Sequence, residues 1–288
     1  MKNMVLIQDE EFGGERPLFA SSNVELNNVR FSPGESALKE CENIKINSCV
    51  FDCKYPFWHN QNTIIKNSLF TPMGRAAIWY GKDIRMAQTH VDAPKMFREI
   101  DGLFLDNVEL SDALECIWWC RNIEVKNTKI KNGDYIFKSS ENITVDNLLL
   151  QGNYSFQYCS NVVIRNSHIS SKDAFWNAEN VTVYDSVIEG EYLGWHSKNL
   201  RLVNCKINGT QPLCYAHNLV MENCVMLEDA NLAFEYSTLK AVINSPITSV
   251  KNPGKGEITA ESIGEIIIDA NCKNPGECNI RVSNAVNV

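Results

Sequence analysis

One motif recurs down this chain at near-constant spacing, and that period restricts the fold more than any other feature. Anchor residues fall at Asn23, Asn43, Asn62, Asp83, Gly102, Asn122, Asn142, Asn161, Asn180, Asn199 and Asn218, separated by 20, 19, 21, 19, 20, 20, 19, 19, 19 and 19 residues. The segments "NVTVYDSVI" from Asn180 and "NLRLVNCKI" from Asn199 show the shared skeleton. A weaker copy starts at Leu239, and "NIRVSN" at Asn279 repeats the pattern again. One residue after the anchors stand Val24, Ile44, Ile84, Leu103, Ile123, Ile143, Val162, Val181, Leu200 and Leu219; three after stand Leu26, Ile46, Ile65, Met86, Leu105, Val125, Val145, Ile164, Val183, Leu202 and Met221. Polar residues such as Glu25, Lys45, Arg85, Thr144 and Arg201 lie between them. That period of two marks a short strand with one buried face. Asn or Asp dominates the fifth position after the anchor, and an apolar residue fills the eighth.

A unit of about 20 residues cannot bury its own apolar face, so successive units must stack. Stacking at strand spacing, about 4.8 Å, brings equivalent Asn amides together, where each can donate and accept between neighbours. This predicts an asparagine ladder. A leucine-rich repeat needs two residues between its second Leu and its Asn, and here there is one; the hexapeptides of a left-handed β-helix are absent. The expected fold is therefore all-β, a single-stranded right-handed parallel β-helix of about a dozen coils. The repeat leaves no room for a second domain. Residues 1–288 read as one domain, with a cap over 1–20, regular coils over 21–250, and irregular coils and a cap over 251–288. Residues 257–270 are expected to add strands or to pair with another chain, and an open end would support a homodimer through the caps.

The stretches "FGGER", "KYPFW", "IWYG", "GNYSF", "KDAFWNAENVTVYDS" and "GEYLGW" resemble an uncharacterised bacterial family, a domain of unknown function, within the pectin-lyase-like β-helix superfamily. The resemblance covers nearly the whole chain and implies the fold without an activity. The N-T-D and R-I-K motifs of polygalacturonases are missing, as are W-I-D-H and R-x-P-x-x-R of pectate lyases and D-P-H-D of alginate epimerases.

The row four residues before each anchor carries the candidate ligand-binding residues Lys39, Trp58, Trp79, Arg98, Trp118, Lys138, Trp176 and Trp195. The row before it, with Phe57, Phe97, Phe137, Phe156, Phe175 and Phe234, is the candidate buried one, so by alternation the Trp row points outward. Indole faces pack on sugar rings, and Arg or Lys can hold carboxylates or phosphates. The primary expectation is a binder of a carbohydrate or similar extended ligand such as an oligosaccharide. The rival arrangement has these Trp stacked on one another beneath loops carrying Tyr55, Tyr135, Tyr154 and Tyr192. The row after the stripe holds His59, Tyr80, Trp119, Tyr158, His196, Tyr215 and Tyr236.

Charged residues in the loops before the stripe include Lys54, Arg75, Lys95, Asp134, Lys172, Asp173 and Glu191. Asp134 and Asp173 occupy equivalent loops and are the candidate catalytic pair for a lyase or hydrolase of the pectin-lyase-like type. A structural or protein-interaction scaffold is the third reading. The five His do not pair at metal-binding spacing, and no cofactor or metal is expected. A net charge of −8 argues against nucleic acid, and no apolar run is long enough for a membrane span or an export signal. The 11 Cys are then expected as reduced thiols in the cytoplasm.

Overall fold

The structure, a computed structural model, describes residues 4–283. The outermost residues of both expected caps, 1–3 and 284–288, lie outside the described residues. The chain divides into two compact units, Met1–Gln151 and Gly152–Val288, and each is a parallel β-solenoid. No α-helix occurs among the described residues, so no helix is long and apolar enough to cross a membrane.

In the first unit, the strands of the main face are Val5–Gln8, Ser22–Asn27, Glu42–Asn47, Gln61–Lys66, Lys82–Ala87, Asp101–Asp106, Arg121–Ile130 and Glu141–Gln151. They pair in parallel with the register set by the repeat: Val24 faces Ile44, Ile44 faces Thr63, Thr63 faces Ile84, and the row continues through Leu103, Ile123 and Ile143. Thr63 is fully buried there and its hydroxyl finds no partner, a polar interruption in an aliphatic row. The segment expected as an N-terminal cap forms strands, Val5–Gln8 and Glu11–Glu15, that join the stack as its first coil. In the second unit the corresponding strands are Ser160–Arg165, Glu179–Tyr184, Lys198–Val203, Leu219–Met226, Thr238–Ile243, Lys255–Ala260 and Cys278–Val282. The stretch 257–270 does supply strand: Ser262–Ile267 pairs in parallel with Pro246–Lys251.

Apolar rows fill the interior because every coil places the same residue type at the same point. Phe31, Phe51 and Phe70 stack in the first unit, with centroids 5.1 and 4.6 Å apart and planes within 8° and 19°. Phe57, Ile78, Phe97, Ile117 and Phe137 form a second buried row, and in the second unit Phe156 stacks on Phe175 at 5.3 Å. All 11 Cys are free; nine are buried, and Cys272 and Cys278 are partly exposed.

Each coil turns at residues in the left-handed region, as at Asn43 (φ 57°), Ser48 (φ 55°), Tyr55 (φ 55°) and His59 (φ 62°). Asn tolerates this region better than most residues, which explains its recurrence at the anchor and the fifth position. Side-chain amides link coils at both corners: Asn62 donates to Asn43 at 2.7 Å, Asn67 to Asn47 at 2.8 Å, Asn199 to Asn180 at 2.8 Å and Asn218 to Asn199 at 3.2 Å.

Candidate functional site

A third face of each coil carries the Trp row. Its backbone is mostly turn-like, yet it is bonded from coil to coil: Phe57 N–H donates to Ala77 O, His59 to Trp79 O, Tyr80 to Arg98 O and Glu99 to Trp118 O. This fixes the Cα row, and the side chains stack in consequence. In the first unit they form one column. The Lys39 ammonium lies 6.0 Å from the Trp58 ring centre; Trp58 and Trp79 are parallel within 6° at 5.1 Å. The Arg98 guanidinium sits between Trp79 (4.3 Å) and Trp118 (5.0 Å), and Lys138 closes the column 5.1 Å from Trp118. Cations on indole faces are attracted by the ring quadrupole, most strongly where water is excluded.

The indole edges are tied down as well. Trp58 Nε1 donates to Ala76 O at 2.8 Å, Trp79 to Lys95 O at 2.8 Å and Trp118 to Tyr135 O at 2.6 Å; in the second unit Trp195 donates to Gln211 O at 2.8 Å. Trp176 breaks the pattern, because its Nε1 is buried without an acceptor. Loop tyrosines pack against the row, with Tyr55 at 5.0 Å from Trp58 and Tyr192 at 5.0 Å from Trp195. The Trp are thus half-buried, and the faces of Trp58, Trp79 and Trp118 in the column are occupied by their neighbours. They form a rigid support rather than an open platform.

The open surface lies one residue further on, at a left-handed corner. His59, Tyr80, Glu99 and Trp119 stand there in the first unit with φ of 62°, 60°, 50° and 53°. Tyr158, Asn177, His196, Tyr215 and Tyr236 follow in the second, with φ of 58°, 53°, 57°, 56° and 55°. Asn177 shows what the corner accepts cheaply; a bulky residue costs roughly 1–2 kcal/mol more in this region. Aromatic side chains occupy this corner in both units, and His59, Tyr80, Trp119, Tyr158 and His196 present theirs to solvent. Trp119 is 50% exposed and meets Trp118 edge to face at 5.4 Å, with no ring stacked parallel to it among the described residues. Beside it lies a depression of about 570 Å³ lined by Glu99, Ile100, Asp101, Trp119 and Arg121. Arg121 pairs with Asp101 at 2.9 Å, and hydrogen bonds from Arg121 and Asn122 hold the Asp101 carboxyl below its ordinary range. The row containing Trp119 was visible in the sequence, but its exposure depends on the corner backbone, which the repeat does not reveal.

Some of the loop charges are paired. Lys95 meets Glu115 at 3.0 Å, and Lys172 meets Glu191 at 3.4 Å. Of the candidate catalytic pair, Asp134 lies in the first unit and is half-buried, and Asp173 lies in the second and is buried. Burial raises the Asp173 pKa above the usual carboxylate value, partly offset by Lys172 and reinforced by Glu191. No cluster of three or more His, Cys, Asp or Glu at metal-binding distance occurs among the described residues.

The parallel register, the repeated coil and the absence of helix among the described residues define the class as a parallel β-solenoid. Within that class, the chain belongs to the family described as "Protein of unknown function (DUF3737)", whose model matches residues 5–281. Among solved structures it is similar to a point mutant of the periplasmic alginate epimerase AlgG (10% identity, TM-score 0.34, covering 97% of this chain and 74% of that one). It is also similar to the Azotobacter vinelandii mannuronan C-5 epimerase AlgE4 A-module (10% identity, TM-score 0.30, 98% and 90%). A tailspike protein double mutant of E. coli bacteriophage HK620, in complex with pentasaccharide, matches at 11% identity and TM-score 0.38, covering 97% and 70%. No curated protein matches the sequence.

Proposed function

We propose that the protein binds a linear carbohydrate without cleaving it, on the first-unit face supported by the column Lys39, Trp58, Trp79, Arg98, Trp118 and Lys138. One observation carries this reading: Trp119 is half exposed on a left-handed corner, with the Arg98 guanidinium 5.5 Å from its ring centre and no parallel ring partner, beside a depression edged by a charged Asp101–Arg121 pair. A flat apolar ring next to fixed donors and acceptors suits a sugar, whose ring faces are apolar and whose rim is hydroxylated. The column beneath serves rigidity, since a binding residue held by locked neighbours loses little entropy on engagement. Tyr80, T-shaped on Trp79 at 6.1 Å, and His59, stacked on Tyr80 at 4.9 Å, extend the face along the coils. Binding without cleavage is favoured because Asp101 is held charged and so is a poor proton donor. The free thiols fit a reducing compartment, and a cytoplasmic site of action belongs to this proposal.

Calorimetric titration with neutral and acidic oligosaccharides tests it. Saturable binding to at least one, weakened tenfold or more by Trp119→Ala, with the glycan recovered intact, is the expected result. A folded wild-type protein that binds none, or a Trp119→Ala variant that binds as tightly, overturns it; shortened product would move the assignment to a hydrolase or lyase.

A further inference from the structure

The second unit carries a different concavity. After the strand Ser262–Ile267 the chain returns along the outside of the coils. Asn252 bonds Asp269 (Nδ2 to Oδ1, 2.9 Å), and Tyr236 Oη donates to Asn271 O at 3.0 Å. Lys273 Nζ lies 4.6 Å from the Tyr236 ring centre. The returning segment and the corner aromatic row enclose a groove of about 510 Å³ whose polar walls are His196, His217, Lys255 and Lys273, with half-buried Tyr215 and Tyr236 between them. That volume matches ordinary small-molecule sites.

Charge and donor type select the ligand. Four basic side chains, two His and two Lys, face one groove, and a single acid, Glu277, lines it with them. Glu277 meets Lys255 at 3.8 Å with both side chains well exposed, a weak pair that a stronger anion can displace. No Arg lines the groove. A planar carboxylate is held best by the bidentate fork of Arg, whereas Lys acts as a point charge and is a common phosphate ligand. The aromatic rings exclude a nucleobase. His196 stacks on Tyr215 at 4.8 Å, Tyr215 lies 5.4 Å from Tyr236, and Lys273 covers Tyr236, so no broad ring face is left for a base. What remains is ring edges, the Tyr215 hydroxyl, Thr238 and Asn274, which suit a hydroxylated ring.

We propose that this groove is a binding site for a phosphorylated monosaccharide, with Lys255 and Lys273 holding the phosphate dianion. The site lies wholly in the second unit and does not depend on the glycan face of the first.

The test is calorimetry, supported by Trp195 fluorescence, because Trp195 lies 5.2 Å from Tyr215. The probes are glucose 6-phosphate, glucose, inorganic phosphate, glucuronate and AMP. Saturable binding of glucose 6-phosphate is expected, at least tenfold tighter than any of the other four. Lys255→Gln/Lys273→Gln should weaken it tenfold or more with the thermal transition unchanged, since both lysines are exposed. Tyr215→Phe, which keeps the stacked ring, should weaken the sugar phosphate and leave inorganic phosphate as it was. Failure of glucose 6-phosphate to bind, equal binding by phosphate, glucuronate or AMP, or full affinity in the double-Gln variant overturns the assignment. Trp119→Ala should leave this binding intact, which separates it from the first-unit reading.

Discussion

Arg98→Met isolates the electrostatic part of the Trp column. Arg98 is 18% exposed at its side chain and lies over the rings of Trp79, Trp118 and, at 5.5 Å, Trp119. Met keeps an unbranched apolar stem between the rings and removes only the guanidinium. The guanidinium's two closer, partly desolvated contacts and the more exposed one to Trp119 are worth about 2–4 kcal/mol together. Against this, the Arg98 Nε is buried without a partner, and its removal returns about 1–2 kcal/mol of desolvation cost. The Glu115 contact, 3.8 Å long, contributes little. The net loss then centres on about 1.5 kcal/mol, local to the coils on either side because each coil bonds mainly to its neighbours. Hydrogen exchange reads this directly. The amides of Tyr80, Glu99 and Trp119 donate across the column to Arg98 O, Trp118 O and Lys138 O, and should exchange roughly 5–30 times faster in the variant. Amides of Ser22–Asn27 should not change. Unaltered exchange at all three column amides would refute the claim that the cation binds the rings together, and uniform acceleration along the first unit would refute its locality.

The Phe rows set the core's sensitivity: Phe51, fully buried between Phe31 and Phe70, should cost about 3–5 kcal/mol on truncation to Ala in urea unfolding, with Phe51→Leu costing clearly less. In native buffer a thiol reagent should modify only Cys272 and Cys278, the other nine Cys reacting after unfolding; rapid modification of more than two would contradict their burial. Burial pushes the Cys53, Cys116, Cys120 and Cys214 thiols to about 12 from an ordinary value of 9.0. Because the folded state favours the protonated thiol, this contribution is complete below about pH 9 and is lost as pH rises toward 12, so an alkaline loss of stability that conservative Cys→Ser or Cys→Ala changes flatten is expected in that window.

The coil and its register could be read from period two in the strands and Asn at the corners, because both follow from backbone geometry that every unit repeats. The first coil was hidden since its anchor position holds Met4 in place of Asn; only the pairing of Val5 with Val24 places it. The Trp row was legible as a row, but not the direction of its rings. Alternation places Cβ atoms, while the 6° parallel stack of Trp58 on Trp79 and the insertion of Arg98 come from packing between coils. The corner carrying exposed Trp119 and half-buried Tyr215 is set by positive φ, which aromatic residues do not signal. The groove beside Tyr236 depends on the return of residues 268–277, which lie outside the regular repeat and carry no periodic cue.

Two indoles that lie 5.1 Å apart and within 6° of parallel do not absorb light as separate chromophores. Their transition dipoles couple, so Trp58 and Trp79 share their excitation and should give a split near-ultraviolet circular dichroism signal that vanishes when either is replaced by Phe. The column thereby gives the folded first unit an optical signature of its own, one that reports ring registry between two coils.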